Sequence, residues 1–216
     1  SRVDITTGFN GTSVIMFGTI KGGEAGLAVT LKGPERTIVI RKKEKTAGTW
    51  MNRGSVEFRR VPSYYDYALN LTGAGDTAAL FGDNQIGVDY LAFYPEDADE
   101  DPAIVESFSD ALIRNMQEKG FYPLKPKVPQ MLGDGFFKVS FDLPPGVPTG
   151  IYTVEAMAVR DGVVAARESK TLQVGQVGFN ARVYLFAENH SLFYGIASVL
   201  IALVSGWAAF TFLRRD

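Results

Sequence analysis

The sequence contains no cysteine and only one histidine, His190, in 216 residues. Without cysteine the chain forms no disulfide, no thiolate metal site and no thiol nucleophile. One histidine and no cysteine are too few ligands for a zinc site. The single histidine, His190, adjoins the apolar end of the chain, which leaves no histidine elsewhere for a catalytic triad. We therefore predict a protein without enzymatic activity, without a cofactor and without a metal site.

An excess of charge of one sign is also missing. The chain has 22 Lys and Arg against 24 Asp and Glu, a formal net charge of −2. A nucleic-acid-binding domain normally carries a marked basic footprint. The composition therefore predicts no nucleic-acid partner.

One long segment lacks charge altogether. Residues 191–213 read SLFYGIASVLIALVSGWAAFTFL without an acidic or basic side chain. As a helix, this run would be about 34 Å long, enough for a hydrocarbon core of roughly 30 Å. The run predicts a single transmembrane helix, followed by a tail at 214–216.

The flanks of this run predict its orientation. Arg214 and Arg215 follow it directly, and Lys and Arg are retained on the cytoplasmic side of a membrane. The chain starts with Ser1 rather than Met, the pattern of a protein whose signal peptide has been cleaved. We expect a bacterial inner-membrane protein with residues 1–190 in the periplasm and the C-terminus in the cytoplasm.

Upstream of the apolar run, the patterning is mainly that of β-strands. Leu27, Val29 and Leu31 alternate with smaller or polar residues, and residues 137–143 alternate in the same way. Asp161-Gly162 separates two further strand-like runs and is typical of a two-residue hairpin turn. Turn signals about every ten residues predict an immunoglobulin-like β-sandwich over residues 1–175.

One amphipathic helix is predicted within this sandwich, as part of a helical insertion at about residues 72–120. Asp101 suits the N-cap and Pro102 the first turn. Apolar residues recur every four positions from Ile104 to Met116, which gives the helix one apolar face. We place this helix at residues 99–119, against a sheet.

Several separated segments resemble the alphaproteobacterial putative transmembrane protein family. They read VDITTGFNGTSVIMFGTI, RKKEKTAGTWMNRGSVEFRRVPSYY, PTGIYTVEAMAVRDG and VGFNARVYLFAENHSLFYG. The resemblance implies a cleaved signal peptide, a periplasmic β-rich domain and one C-terminal helix. It also implies a gene that is encoded beside those of sulfite-exporter-like permeases of the TauE/SafE type, and it carries over no catalytic residue.

Candidate partner-binding residues fall in two groups. Small or aromatic residues of the apolar run allow close packing with another helix; they are Ser198, Ser205, Gly206 and Trp207. Aromatic residues are suited to contacts on the periplasmic side; they are Trp50, which we place in a loop, Tyr65, Tyr184 and Phe186. Residues 176–190 form an amphipathic lead-in without a flexible linker.

Charged clusters supply two further candidates. Arg41, Lys43, Arg59 and Arg60 could form an anion-binding patch, or they could be a solvated strand edge protected by its charges. The acidic run at 96–101 could bind calcium, or it could complement the dipole of the following helix.

The prediction for function is a non-enzymatic, single-pass accessory subunit. It would dock on and stabilise a larger integral membrane complex, a transporter or a respiratory-type assembly, within the lipid bilayer. The alternative is a periplasmic module that captures or senses a small anion and works with a sulfite-exporter-like permease.

Overall fold

The computed structural model describes residues 2–5, 10–20, 25–46, 49–71, 78–133, 135–176 and 191–213. The chain divides into two compact units. The first comprises Ser1–Val3 and Phe9–Val174, and the second Asp4–Gly8 and Gly175–Asp216. Most of the predicted lead-in, with Tyr184 and Phe186, and the predicted tail lie outside the described residues.

The described part of the chain is mainly β. In chain order its strands are β1 (Arg2–Ile5), β2 (Thr12–Thr19), β3 (Gly26–Lys32), β4 (Glu35–Thr46), β5 (Thr49–Pro62), β6 (Tyr65–Asn70), β7 (Tyr94–Pro95), β8 (Gln130–Gly133), β9 (Phe136–Leu143), β10 (Gly150–Arg160) and β11 (Val163–Gln176). Its helices are α1 (Ala78–Asn84), a 3₁₀ turn (Val88–Tyr90), α2 (Pro102–Glu118) and α3 (Ser191–Leu213).

These strands form three sheets. Sheet A has the order β1-β11-β10-β3-β6, sheet B the order β2-β9-β8, and sheet C the order β4-β5-β7. A cavity of about 560 Å³ has Phe137 of sheet B and Leu27 and Val154 of sheet A in its walls. Sheets A and B therefore face each other across an apolar interior, as in a sandwich.

The β10–β11 hairpin confirms the predicted turn. Arg160 pairs with Val163, and the two turn residues Asp161 and Gly162 have φ values of 51° and 77°. Positive φ at both positions is the signature of the turn that matches the twist of the flanking strands.

Strand β3 differs from the half-buried strand that its alternation predicts. Ala28 and Thr30, expected on an exposed face, are both 0 % exposed. Ala28 belongs to a core cluster with Leu80 of α1 and with Ile86 just after it. The helix covers the second face of the sheet, a tertiary contact that local alternation does not report.

The β4–β5 hairpin is longer than predicted. Lys43 pairs with Asn52 and Lys45 with Trp50, so Trp50 belongs to a strand. The prediction that Trp50 lies in a loop is wrong, because the backbone pairing of the two strands continues to Thr46 and Thr49. The side chains of Lys43 and Trp50 lie outside the described part of the structure.

Helix α2 packs on sheet C through most of its predicted apolar face, although Ile104 at its start is 41 % exposed. The side chain of Asp101 caps the helix by accepting a hydrogen bond from the backbone N–H of Ala103 at 2.9 Å. Phe108, Leu112 and Met116 are buried in a cluster with residues of β5. The helix therefore covers one face of the β4–β5 hairpin.

Helix α3 is the described part of the second unit beyond Gly175. It spans 23 residues, with neither acidic residues in its first turn nor basic residues in its last. A search of the described residues finds no helix with the length and apolarity that a membrane span requires.

Candidate interaction surfaces

Helix α3 exposes apolar side chains around its whole circumference. Val199, Leu200 and Ile201 are consecutive, so they point in directions about 100° apart, yet they are 59 %, 56 % and 67 % exposed. Trp207, a predicted partner residue, is 71 % exposed. A helix that is apolar on all sides is normally covered by protein or by lipid.

The small residues predicted for helix packing also lie on this helix. Ser198 and Gly206 are exposed, and with Ala202 they form an i, i+4, i+8 series on one side of α3. Ser205 is exposed as well. The Ser198 hydroxyl donates to the Tyr194 carbonyl oxygen at 2.8 Å, which satisfies its polar group within the helix and leaves the small face free of unmet donors.

Sheet B carries an apolar surface that the sequence analysis missed. On its inner face, Phe137 and Val139 are buried. On its outer face, Ile15, Phe17 and Phe136 are 50 %, 63 % and 49 % exposed. Phe136 pairs with Thr19, two residues beyond Phe17, so the two aromatic rings are diagonal neighbours on the sheet.

The sequence signal for this outer face is the unbroken run Val14-Ile15-Met16-Phe17. A strand with one face in the core and the other in water alternates apolar and polar residues. Four consecutive large apolar residues therefore indicate that both faces are meant to be covered.

Tyr65 does not belong to a partner-binding surface. Its side chain is 0 % exposed, and its hydroxyl donates to the Gln85 carbonyl oxygen at 3.0 Å and accepts from the Gly87 N–H at 2.8 Å. Burial raises the pKa of Tyr65. The prediction is wrong because this tyrosine fills the core under α2, with Tyr122 against its ring edge.

The predicted basic patch divides into separate parts. Arg59 forms an ion pair with Glu96, and Arg60 donates to Glu35 at 3.0 Å. Arg41 pairs with Ser55 on β5, four residues and roughly 13 Å along the strand from Arg59. The structure therefore separates Arg41 from Arg59 and Arg60, and the latter two already have carboxylate partners.

A partly buried polar cluster joins sheets A and B. Lys127 Nζ donates to Asp142 Oδ2 at 2.6 Å and lies 3.4 Å from Asp66 Oδ2. The Tyr64 hydroxyl donates to the Asp142 carbonyl oxygen at 2.8 Å, and Ser13 Oγ donates to Asp142 Oδ1 at 2.6 Å. We refer to these five residues as the Lys127 cluster.

Burial and pairing act in opposite directions on the two carboxyl groups of this cluster. Burial raises the pKa of Asp66, although Lys127 partly offsets the shift. Hydrogen bonds from Lys127 and Ser13 lower the pKa of the more exposed Asp142. Since each polar group is held by a structural partner, the cluster fastens the sheets together and presents no free acid or base.

The acidic run at 96–101 serves the start of α2. Asp101 is the N-cap, and Asp97 Oδ1 accepts from the Asp99 N–H at 3.0 Å. Among the residues that the structure describes, no three His, Cys, Asp or Glu side chains are grouped to hold a metal ion. Calcium binding, one of the two alternatives for this run, therefore gains no support from the geometry.

These features define a mainly β protein that carries one apolar helix. The chain belongs to the alphaproteobacterial family described as "Putative transmembrane protein (Alph_Pro_TM)", whose model matches residues 1–215. The resemblance stated from the sequence segments is thereby confirmed. No curated protein and no solved structure matches the chain.

Proposed function

We propose that this protein is a non-enzymatic accessory subunit of an integral membrane complex, anchored in the bilayer by α3. The observation that carries the proposal is the apolar, uncharged surface of α3, exposed on all sides. Such a surface is stable only when lipid or another apolar helix covers it. The series of small residues on one side of the helix supports packing against a partner helix.

The proposal rests on the sequence of residues 191–213, which carries no charged side chain, although no helix of the described residues reaches the length and apolarity of a membrane span. Arg214 and Arg215 after this run support a cytoplasmic C-terminus. The β-rich unit would then lie in the periplasm, where a chain without cysteine folds without an oxidant. The family description is that of a transmembrane protein, in agreement with this arrangement.

The outer face of sheet B is the proposed docking surface for the extramembrane part of the same partner. Ile15, Phe17 and Phe136 expose about half or more of their side chains, and Lys138 lies on the same face opposite Phe17. An apolar centre with a charged rim is the usual anatomy of a protein interface.

The immunoglobulin-like class of the β-rich unit is also a proposal. Two facing antiparallel sheets and the terminal β10–β11 hairpin support it. The three-stranded sheet C and α2, placed outside that sandwich, would be elaborations specific to this family.

Isolation of the tagged full chain in a mild detergent tests the accessory role. We expect a stoichiometric membrane-protein partner to be recovered with it. Two single variants, Gly206→Leu and Phe17→Ser, are each expected to reduce recovery of the partner at least severalfold, since each disrupts one proposed contact.

The matched controls are Val163→Ser, which removes an exposed apolar side chain from the β10–β11 turn, and Leu203→Ile within α3. Both are expected to leave recovery unchanged. Recovery of the wild-type chain alone, or equal recovery with all variants, would refute the proposal.

A further inference from the structure

A second kind of site lies between β4 and the flank of α2. Here a cleft of about 280 Å³ opens in the first unit. Its apolar wall consists of Ile40, Phe108 and Ala111, its polar wall of Lys42, Ser107 and Arg114, and Arg41 also borders it. We refer to it as the α2–β4 cleft.

The secondary structure explains why the polar groups meet there. Strand alternation places Ile40 and Lys42 on one face of β4 and Arg41 on the other, and Ile40 packs against the core under α2. Ser107 and Arg114 are seven residues apart, two helical turns, so they lie on the same side of α2. Two cationic side chains from different elements therefore flank one opening.

Gly54 lies beside Phe108, one of the residues that line the cleft. Gly54 pairs with Lys42 across the hairpin, and a Cβ atom placed on it would contact the Phe108 ring at 3.7 Å. A larger residue would occupy space beside the ring. The described residues that line the cleft include cationic side chains and no Asp or Glu.

We propose that the α2–β4 cleft binds a small organic anion with a short apolar body. Arg114 would hold the anionic group, with Ser107 as a further donor. Ile40, Phe108 and Ala111 would cover the apolar body, which favours such a ligand over a compact inorganic anion. The volume is just below that of pockets for drug-sized ligands, about 300–1,000 Å³, so the ligand has only a few carbon atoms.

This site is independent of the accessory role, because it uses no residue of α3 or of the outer face of sheet B. Either proposal can therefore fail while the other holds. The cleft shares Arg41 with the predicted anion patch, whereas Arg59 and Arg60 are paired with carboxylates elsewhere.

Titration of the isotopically labelled full chain in detergent, followed by NMR, tests the site. Sodium butanoate is the probe, with sodium sulfate and butanol as the compact anion and the neutral apolar comparison. We expect butanoate to shift the amides of residues 40–42 and 107–114 at concentrations where sulfate and butanol do not. Arg114→Gln is expected to raise the Kd about fivefold, the effect of one exposed charge contact of about 1 kcal/mol.

The matched control is Lys119→Gln, which removes one positive charge from the C-terminal end of the same helix, outside the cleft. It is expected to bind butanoate as the wild type does. Absence of butanoate-induced shifts would overturn the proposal, as would equal shifts with butanol or equal weakening by both substitutions. Unchanged spectra of the variants away from the cleft would show that the fold is intact.

Discussion

At the scale of single residues, the Lys127 cluster shows how one cation allows a carboxylate to be buried. The Asp66 side chain is only 6 % exposed and faces Lys127 Nζ at 3.4 Å. A buried charge without a partner costs several kcal/mol, whereas a partner with additional hydrogen bonds offsets most of that cost. The Tyr67 N–H also donates to Asp66, at 2.9 Å.

Replacing Lys127 is therefore expected to destabilise the first unit. In Lys127→Gln, Asp66 loses its cation and Asp142 its strongest donor, and we expect a loss of about 1–3 kcal/mol in the free energy of unfolding, because the lysine is partly exposed. Urea unfolding followed by tyrosine fluorescence measures it. Lys125→Gln, at an exposed position in the same segment, should change stability by less than about 0.5 kcal/mol; similar losses in both variants would contradict this role.

The two carboxyl groups of the cluster predict opposite dependences on pH. Both start from an ordinary pKa of 3.8, which folding raises for Asp66 and lowers for Asp142. Asp142 therefore stabilises the fold above pH 3.8, and this contribution is lost as the pH falls through its folded pKa. Asp66 acts in reverse: its contribution weakens as the pH rises from 3.8 through its folded pKa.

Urea midpoints measured between about pH 3 and pH 6 check these signs. The stability difference between the wild type and Asp142→Asn should shrink in acid. The difference between the wild type and Asp66→Asn should shift in favour of the wild type as the pH falls. Parallel pH curves for all three proteins would show that neither carboxyl group is perturbed by folding.

At the scale of elements, strand β2 depends on close packing with β9. Gly18 pairs with Phe137, and a Cβ atom on Gly18 would overlap the Phe137 ring. This glycine is required because the phenylalanine from the neighbouring strand lies across it on the inner face. The same strand places Phe17 on the outer face, so the packing of β2 also positions the proposed docking surface.

Gly18→Ala is expected to destabilise the first unit by about 1–3 kcal/mol, since the added methyl group must displace a packed ring. Thermal unfolding provides the measurement. The control is Gly82→Ala in α1, where a Cβ atom would meet no neighbour within 4 Å; it should be neutral or stabilise by up to about 1 kcal/mol. A neutral Gly18→Ala variant would show that Phe137 has room to move.

At the scale of the whole molecule, two compact units have different surfaces. The first unit has an interior filled by sheets and α2, with tyrosines such as Tyr64 and Tyr152 fully or almost fully buried. The second includes α3, whose apolar residues are outside. This contrast supports a division between an extramembrane domain and an anchor.

The proposed anchoring of the chain by α3 predicts a clear result in fractionation. The double substitution Leu200→Arg with Leu203→Arg would cost roughly 5–7 kcal/mol on insertion at the centre of a bilayer. We expect the variant to leave the carbonate-washed membrane fraction, in which the wild type and the control Leu200→Ala, Leu203→Ala are retained. Retention of the arginine variant would refute a bilayer-spanning α3.

The sequence alone determined the features that depend on neighbouring residues. The strand character of β9, the turn at Asp161-Gly162 and the capped helix after Asp101 all follow from local backbone and side-chain preferences. Membership of the family was likewise evident in separated segments of the chain. The uncharged run at residues 191–213 was also evident from the sequence alone, because its hydropathy is the sum of contributions from neighbouring residues.

The tertiary structure alone decided which side chains meet. It buried Tyr65, paired Arg59 and Arg60 with glutamates, extended the β4–β5 hairpin through Trp50, and covered the second face of β3 with α1. It also brought Lys42 of β4 beside Arg114 of α2, which are 72 residues apart. Such contacts join segments that are distant in the chain and depend on packing and desolvation. Local sequence preferences therefore do not determine which of these residues come into contact.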